Sequence, residues 1–145
     1  MPAQAPKQPD QAKTQGQNAP ATAREASMAV FKKADRKLEY AEGVEGGTGT
    51  MIRDRCNLTD KVGGTCTYMV CNSLEPGASI GEHTHTGETE IYYMVKGKAV
   101  LVENGTETVV EEGDVLYCPN GGTHAVRNDF DELVSFVVVI QKVED

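Results

Sequence analysis

From Met28 onward, apolar and polar positions alternate in short runs separated by turn residues: TMIRDRC (50–56), TCTYMVCNSL (65–74), EIYYMV (90–95), AVLVE (99–103), ETVVE (107–111), DVLYC (114–118), HAVRN (124–128) and LVSFVVVI (133–140). A period of two over such lengths predicts β-strands, and no stretch carries the 3.6-residue period of a long amphipathic helix. Asn104-Gly105 separates two of the runs, a dipeptide that tolerates the positive φ angles of a two-residue type I′ hairpin. Strands at this spacing predict a sandwich or barrel rather than βαβ units. In the run 65–74, Met69, Cys71 and Ser73 share one face while Tyr68, Val70, Asn72 and Leu74 share the other. Alternation alone leaves open which face turns inward. The run 133–140 is apolar at nearly every position and therefore needs cover on both faces. Its outer face is read as the contact of a homodimer, with packing under residues 28–45 as the alternative.

The segment before Met28 is of a different kind. It is rich in Gln, Ala and Pro, and Pro2, Pro6, Pro9 and Pro20 oppose any helix. So little apolar surface cannot offset the entropy of ordering the chain, so residues 1–27 are read as a disordered tail and 28–145 as the single folded domain. With Lys+Arg 14 against Asp+Glu 22, the 145-residue chain carries a net charge of −8. That charge repels phosphate backbones and anionic lipid, so neither nucleic acid nor a membrane is expected as a partner. No apolar stretch approaches the ~18–20 residues of a membrane span. Cys56, Cys66, Cys71 and Cys118 form no C-x-x-C pair, and are read as small hydrophobes in a reducing compartment. No secretory h-region is visible at the N-terminus, so a cytoplasmic location is expected.

The three histidines carry the most chemical information. His83 and His85 are two apart, which on a strand aims both rings to one side. Glu90 stands at an odd offset from them. A turn through Thr86-Gly87-Glu88-Thr89 would return its carboxylate beside the imidazoles on a neighbouring strand. His124 opens a further strand after the turn Pro119-Asn120-Gly121-Gly122. Three imidazoles and a carboxylate converging inside a barrel would hold a divalent transition metal with coordination positions left free.

Gly77-x5-His83-x-His85-x4-Glu90-x6-Gly97 resembles the first signature of the cupin superfamily, and Gly113-x5-Pro119-x-Gly121-x2-His124-x3-Asn128 resembles the second. Every fixed position is filled, and the two motifs span residues 77–128. The resemblance implies an all-β fold, the cupin jelly-roll β-barrel or double-stranded β-helix, behind the disordered N-terminal tail. It also implies one divalent metal per chain held by His83, His85, Glu90 and His124. Mn or Fe is expected first by analogy with related cupins, then Zn or Ni. Asn128 is read as a structural hydrogen-bonder. Glu82 and Glu88 do not fit the ligand pattern and are read as solvent-facing.

Around such a centre, Tyr92 and Met94 share the alternation of Glu90 and should point into the barrel. Tyr92 is the candidate catalytic residue, as hydrogen-bond donor to a bound substrate or to Glu90; a plain wall role is the alternative. Met94, Arg53 and Arg55 are candidate substrate contacts. The two arginines share a strand face and suit a substrate carboxylate, or else a solvated face or interface. The expected function is metal-dependent chemistry on a small oxygen-rich metabolite: oxidation, decarboxylation, isomerisation or lyase chemistry. Oxalate-type chemistry would draw on Arg53 or Arg55 and on Glu88 as a mobile carboxylate. Sugar-phosphate isomerisation would want a basic cluster, and the motif region supplies only Lys96, Lys98 and Arg127. The alternative is a module that binds or senses a small molecule and turns nothing over.

Overall fold

The computed structural model describes residues 28–144; the expected tail over 1–27 lies outside the described residues. A 3₁₀ turn at Lys33–Asp35 precedes ten strands, and a second, Val44–Gly46, joins the first two: β1 (Leu38–Glu42), β2 (Thr50–Asp54), β3 (Cys66–Leu74), β4 (Ser79–Thr84), β5 (Glu88–Lys96), β6 (Lys98–Glu103), β7 (Thr106–Glu111), β8 (Val115–Cys118), β9 (Thr123–Arg127) and β10 (Val134–Lys142). They form two antiparallel sheets, ordered β1-β2-β3-β10-β5-β8 and β4-β9-β6-β7. This is the jelly roll that the motifs implied.

Alternation decides the interior. Along β10, Val134, Phe136 and Val138 are buried, while Ser135, Val137 and Val139 face outward and are half-buried. As the central strand, β10 sets the register of both neighbours: Phe136 lies beside Asn72 of β3 and Met94 of β5. In β3 it is the set Val70, Asn72 and Leu74 that turns inward, which settles the question its sequence left open. The core gathers Met51, Leu74, Ile80, Met94, Val126 and Phe136 between the sheets. Fully burying an aliphatic or aromatic side chain contributes about 1.5–3 kcal/mol.

The turns follow their residues. Asn104 (φ 50) and Gly105 (φ 73) are both left-handed and link Glu103 to its cross-strand partner Thr106, as a type I′ hairpin requires. Asn128 is fully buried; its Nδ2 donates to the carbonyls of Leu74 (2.9 Å) and Glu132 (2.8 Å), and its Oδ1 accepts from the Phe130 amide (3.0 Å). It ties the end of β9 to the end of β3. The strand expected over 50–56 stops at Asp54, because Cys56 (φ 55) and Asn57 (φ 54) enter the left-handed region and no ladder continues through it. All four cysteines are free thiols. Among the described residues, no helix is long and apolar enough to cross a membrane.

Candidate metal centre

Three strands and one turn bring the polar cluster together. His83 of β4 and His124 of β9 are cross-strand partners, and their rings meet edge to face at 4.7 Å. His85, just past the end of β4, lies 4.9 Å from His83 and 5.2 Å from His124 between ring centroids. Glu90 arrives from β5, in the other sheet, where it sits between Cys118 of β8 and Ile140 of β10. One donor atom from each of His83, His85, Glu90 and His124 lies within 4.8 Å of all the others. His85, Glu90 and His124 are buried and His83 is half-buried.

The hydrogen bonding at the rims fixes what faces the centre. His83 Nδ1 lies 2.8 Å from the carbonyl oxygen of Gly81. A carbonyl only accepts, so Nδ1 carries the proton and Nε2 is left with its lone pair. His85 Nδ1 likewise donates to Glu88 Oε1 at 2.8 Å. At the centre, Glu90 Oε2 is 2.6 Å from His85 Nε2 and 3.0 Å from His124 Nε2. These are close approaches without hydrogen-bond geometry, and all three atoms are buried with no hydrogen-bond partner. One such orphan costs about 1–3 kcal/mol, and three around one point are costly unless a cation accepts their lone pairs. The donor set, three imidazole nitrogens and one carboxylate oxygen, fits a divalent transition metal. The bonds to Gly81 and Glu88 are contacts of the kind that would hold His83 and His85 in one tautomer around a bound metal.

His83, His85 and Glu90 open onto a cavity of about 290 Å³ whose wall also includes Arg53, Tyr68, Asn72, Tyr92, Val138 and Ile140. That is near the lower end of the ~300–1,000 Å³ range of ligand sites, a size for a small metabolite. Tyr92 is buried, stacks on Phe136 at 4.9 Å and meets the His124 ring at 5.8 Å. Burial, and then the neighbouring Glu90 carboxylate, push its phenol well above its ordinary pKa, so it stays protonated.

The arginines part company. Arg53 borders the cavity, with Nε buried and unpartnered and Nη1 3.7 Å from Glu39. Arg55, beyond the end of β2, bonds Glu39 at 2.8 Å and lies over the Tyr68 ring at 6.0 Å; it is not part of the cavity wall. Its hydrogen bond holds the Glu39 carboxyl below the usual range. Met94 points into the barrel as expected but is fully buried in the core, away from the cavity wall. Glu88, expected to face solvent, instead binds His85 and borders the cavity, because the turn after His85 carries the start of β5 back over the ring. Glu82 is exposed as expected. Asn72 was visible in the sequence only as one of two alternating sets; the structure puts it on the cavity wall.

Comparison with known proteins agrees with this geometry. Residues 72–140 match the family described as Cupin domain. The oxalate-binding protein of Thermotoga maritima is 27% identical over 117 residues, covering 81% of this chain and 97% of that protein. The tetracenomycin polyketide synthase protein TcmJ of Streptomyces glaucescens is 31% identical over 67 residues, 46% of this chain and 45% of that protein, so the chain spans about half of its length. Among solved structures, a predicted oxalate decarboxylase from Thermotoga maritima superposes with a TM-score of 0.75 at 27% identity, covering 79% of this chain and 100% of that one. Residues 72–140 thus carry a Cupin domain, in a fold shared with the Thermotoga structure.

Proposed function

We propose that this protein is a metal-dependent enzyme acting on a small, oxygen-rich carboxylate at the His83, His85, Glu90 and His124 centre. One observation carries the reading: three buried donor atoms without partners converge beside a ligand-sized cavity that Arg53 borders. Bound there, a divalent ion would act as a Lewis acid and orient a chelating substrate, with Mn(II) or Fe(II) favoured over Zn or Ni by analogy with related cupins. The chain's own residues do the rest. Arg53 attracts a carboxylate, the apolar wall of Val138 and Ile140 excludes water, and Tyr92 offers a hydroxyl hydrogen bond to the substrate or to Glu90. Support for a carboxylate comes from the Thermotoga relatives, one an oxalate-binding protein and one a predicted oxalate decarboxylase.

A binding module without turnover is the second reading. It is favoured by the name of the oxalate-binding relative and by Glu88, whose carboxylate is engaged with His85 rather than free to carry protons. Two measurements decide. Elemental analysis of protein purified without added metal should return close to one transition-metal ion per chain; its absence overturns both readings. Metal-reconstituted protein is then assayed against 2-oxoacids, diketones, dicarboxylates and sugars. Product formation supports the enzyme, and saturable binding without product supports the module.

The same reading includes a homodimer. On the outer face of the larger sheet, Tyr93, Val95, Val115 and Tyr117 are exposed around half-buried Ile91 and Val137. The ladder places Tyr93 beside Val115 and Ile91 beside Tyr117, so the apolar surface is continuous across β5 and β8. A contiguous apolar face of this kind on a soluble domain marks an association surface, and a second copy of this chain supplies a matching one.

A further inference from the structure

Arg53 of β2 and Asn72 of β3 are direct cross-strand partners, and both turn inward onto the cavity wall beside the metal cluster. Asn72 is only 5% exposed, yet its Oδ1 has no hydrogen-bond partner; Arg53 Nε is buried and equally without one. Neither is an accident of the surface. A buried amide oxygen and a buried guanidinium N–H each lose solvation that nothing in the chain restores. The nearest charge to Arg53, Glu39, is drawn off to Arg55 at 2.8 Å and stands 3.7 Å from Arg53 Nη1. The inner edge of the guanidinium is therefore left for something else.

The two orphans differ in kind. Arg53 Nε–H can only donate, and its positive charge asks for an anionic oxygen. Asn72 Oδ1 can only accept, and asks for an O–H or N–H. A plain dicarboxylate, ionised at neutral pH, offers acceptors alone: with the Asn72 amide oriented as it stands, it would satisfy Arg53 and leave Oδ1 facing another lone pair. A carboxylate that also carries a hydroxyl satisfies both.

We propose that Arg53 and Asn72 together form a recognition subsite for a small hydroxy-carboxylate, the carboxylate held by Arg53 and the hydroxyl donated to Asn72 Oδ1. This deepens the metal-centre reading and rests on it, since the remaining ligand oxygens face His83, His85, Glu90 and His124. It assigns specificity within the oxygen-rich class to Asn72, and it separates the roles of the two arginines: Arg53 binds ligand, and Arg55 positions Glu39 away from it.

The test is calorimetric titration of manganese-loaded protein with malonate and with hydroxymalonate, which differ by a single hydroxyl. The wild type should bind hydroxymalonate about tenfold more tightly. A hydroxyl can also bind the metal, so the variant Asn72→Leu is the reference. It should lose most of that preference while binding malonate within about twofold of wild type, as expected when only the hydroxyl's partner has been removed. Arg53→Met should weaken both ligands by about tenfold or more, while Arg55→Met leaves the hydroxymalonate preference in place. Asn72→Ala, smaller and without a side-chain acceptor, replaces Asn72→Leu should the latter fail to fold. A preference that survives in the Asn72 variant that folds, wild-type binding in Arg53→Met, or no binding of either ligand by the wild type overturns the proposal. Metal content per chain is measured on every sample. A wild type that holds no manganese overturns the metal-centre reading itself, whereas full metal with unaltered ligand discrimination overturns the subsite alone.

Discussion

Glu88 accepts a hydrogen bond from Nδ1 of His85 at 2.8 Å, three residues away across a turn, and so points the ring's other nitrogen at Glu90. Loss of an outer contact of this type costs ~10–100-fold in metal affinity. Glu88→Ala is expected to lose manganese to a competing chelator at correspondingly lower chelator concentration, with an unchanged far-ultraviolet circular dichroism spectrum. Glu88→Gln keeps an acceptor at the same place and should recover most of the affinity. Equal chelator sensitivity in wild type and Glu88→Ala would show that the contact does not orient His85.

His124 is buried against Glu90 and stands opposite His83 in the ladder, so its removal opens the centre and costs the core only the ring's edge contact with Tyr92. His124→Ala should retain the fold and lose stoichiometric metal on elemental analysis. In wild-type protein, metal at 100 times its dissociation constant adds ~2.7 kcal/mol of stability, seen as a rise in Tm. His124→Ala should show no such rise.

Gly97, between β5 and β6, has φ +79, and a Cβ there would come within 2.6 Å of the Leu133 carbonyl oxygen. Both the left-handed backbone and the close approach penalise a side chain. Gly97→Ala is expected to lower stability by more than about 1 kcal/mol, read as a lower urea midpoint with the slope unchanged. A midpoint equal to wild type would mean that the β5–β6 corner relaxes freely.

Tyr93 is 52% exposed at the centre of the apolar face spanning β5 and β8. Tyr93→Asp should convert a dimeric sedimentation profile at micromolar concentration to a monomeric one while leaving metal content intact. A wild type that sediments as a single chain would remove the dimer from the reading.

Parts of the fold were legible because the chemistry is local. Asn104-Gly105 specifies its hairpin by backbone preference alone, and β10 announces its central place by having no polar side to spare. β1 was not recognised, because Leu38–Glu42 is an edge strand exposed along nearly its whole length and leaves no pattern of burial. β4 showed only through the spacing of His83 and His85, because Ser79–Thr84 mixes polar residues and Gly81 with a single buried apolar side chain, Ile80.

The sequence by itself determined the spacing of the polar cluster and the strand alternation. Spacings such as His83-x-His85 are fixed by the two-residue period of a strand, and the turn residues before His124 fix where the next strand begins. Tertiary structure alone decided which alternating set of β3 faces the cavity, that Arg53 rather than Arg55 reaches it, and that Glu88 folds back onto His85. The reason is parity. Alternation sorts side chains into two sets, but only the packing of one sheet against the other says which set is inside.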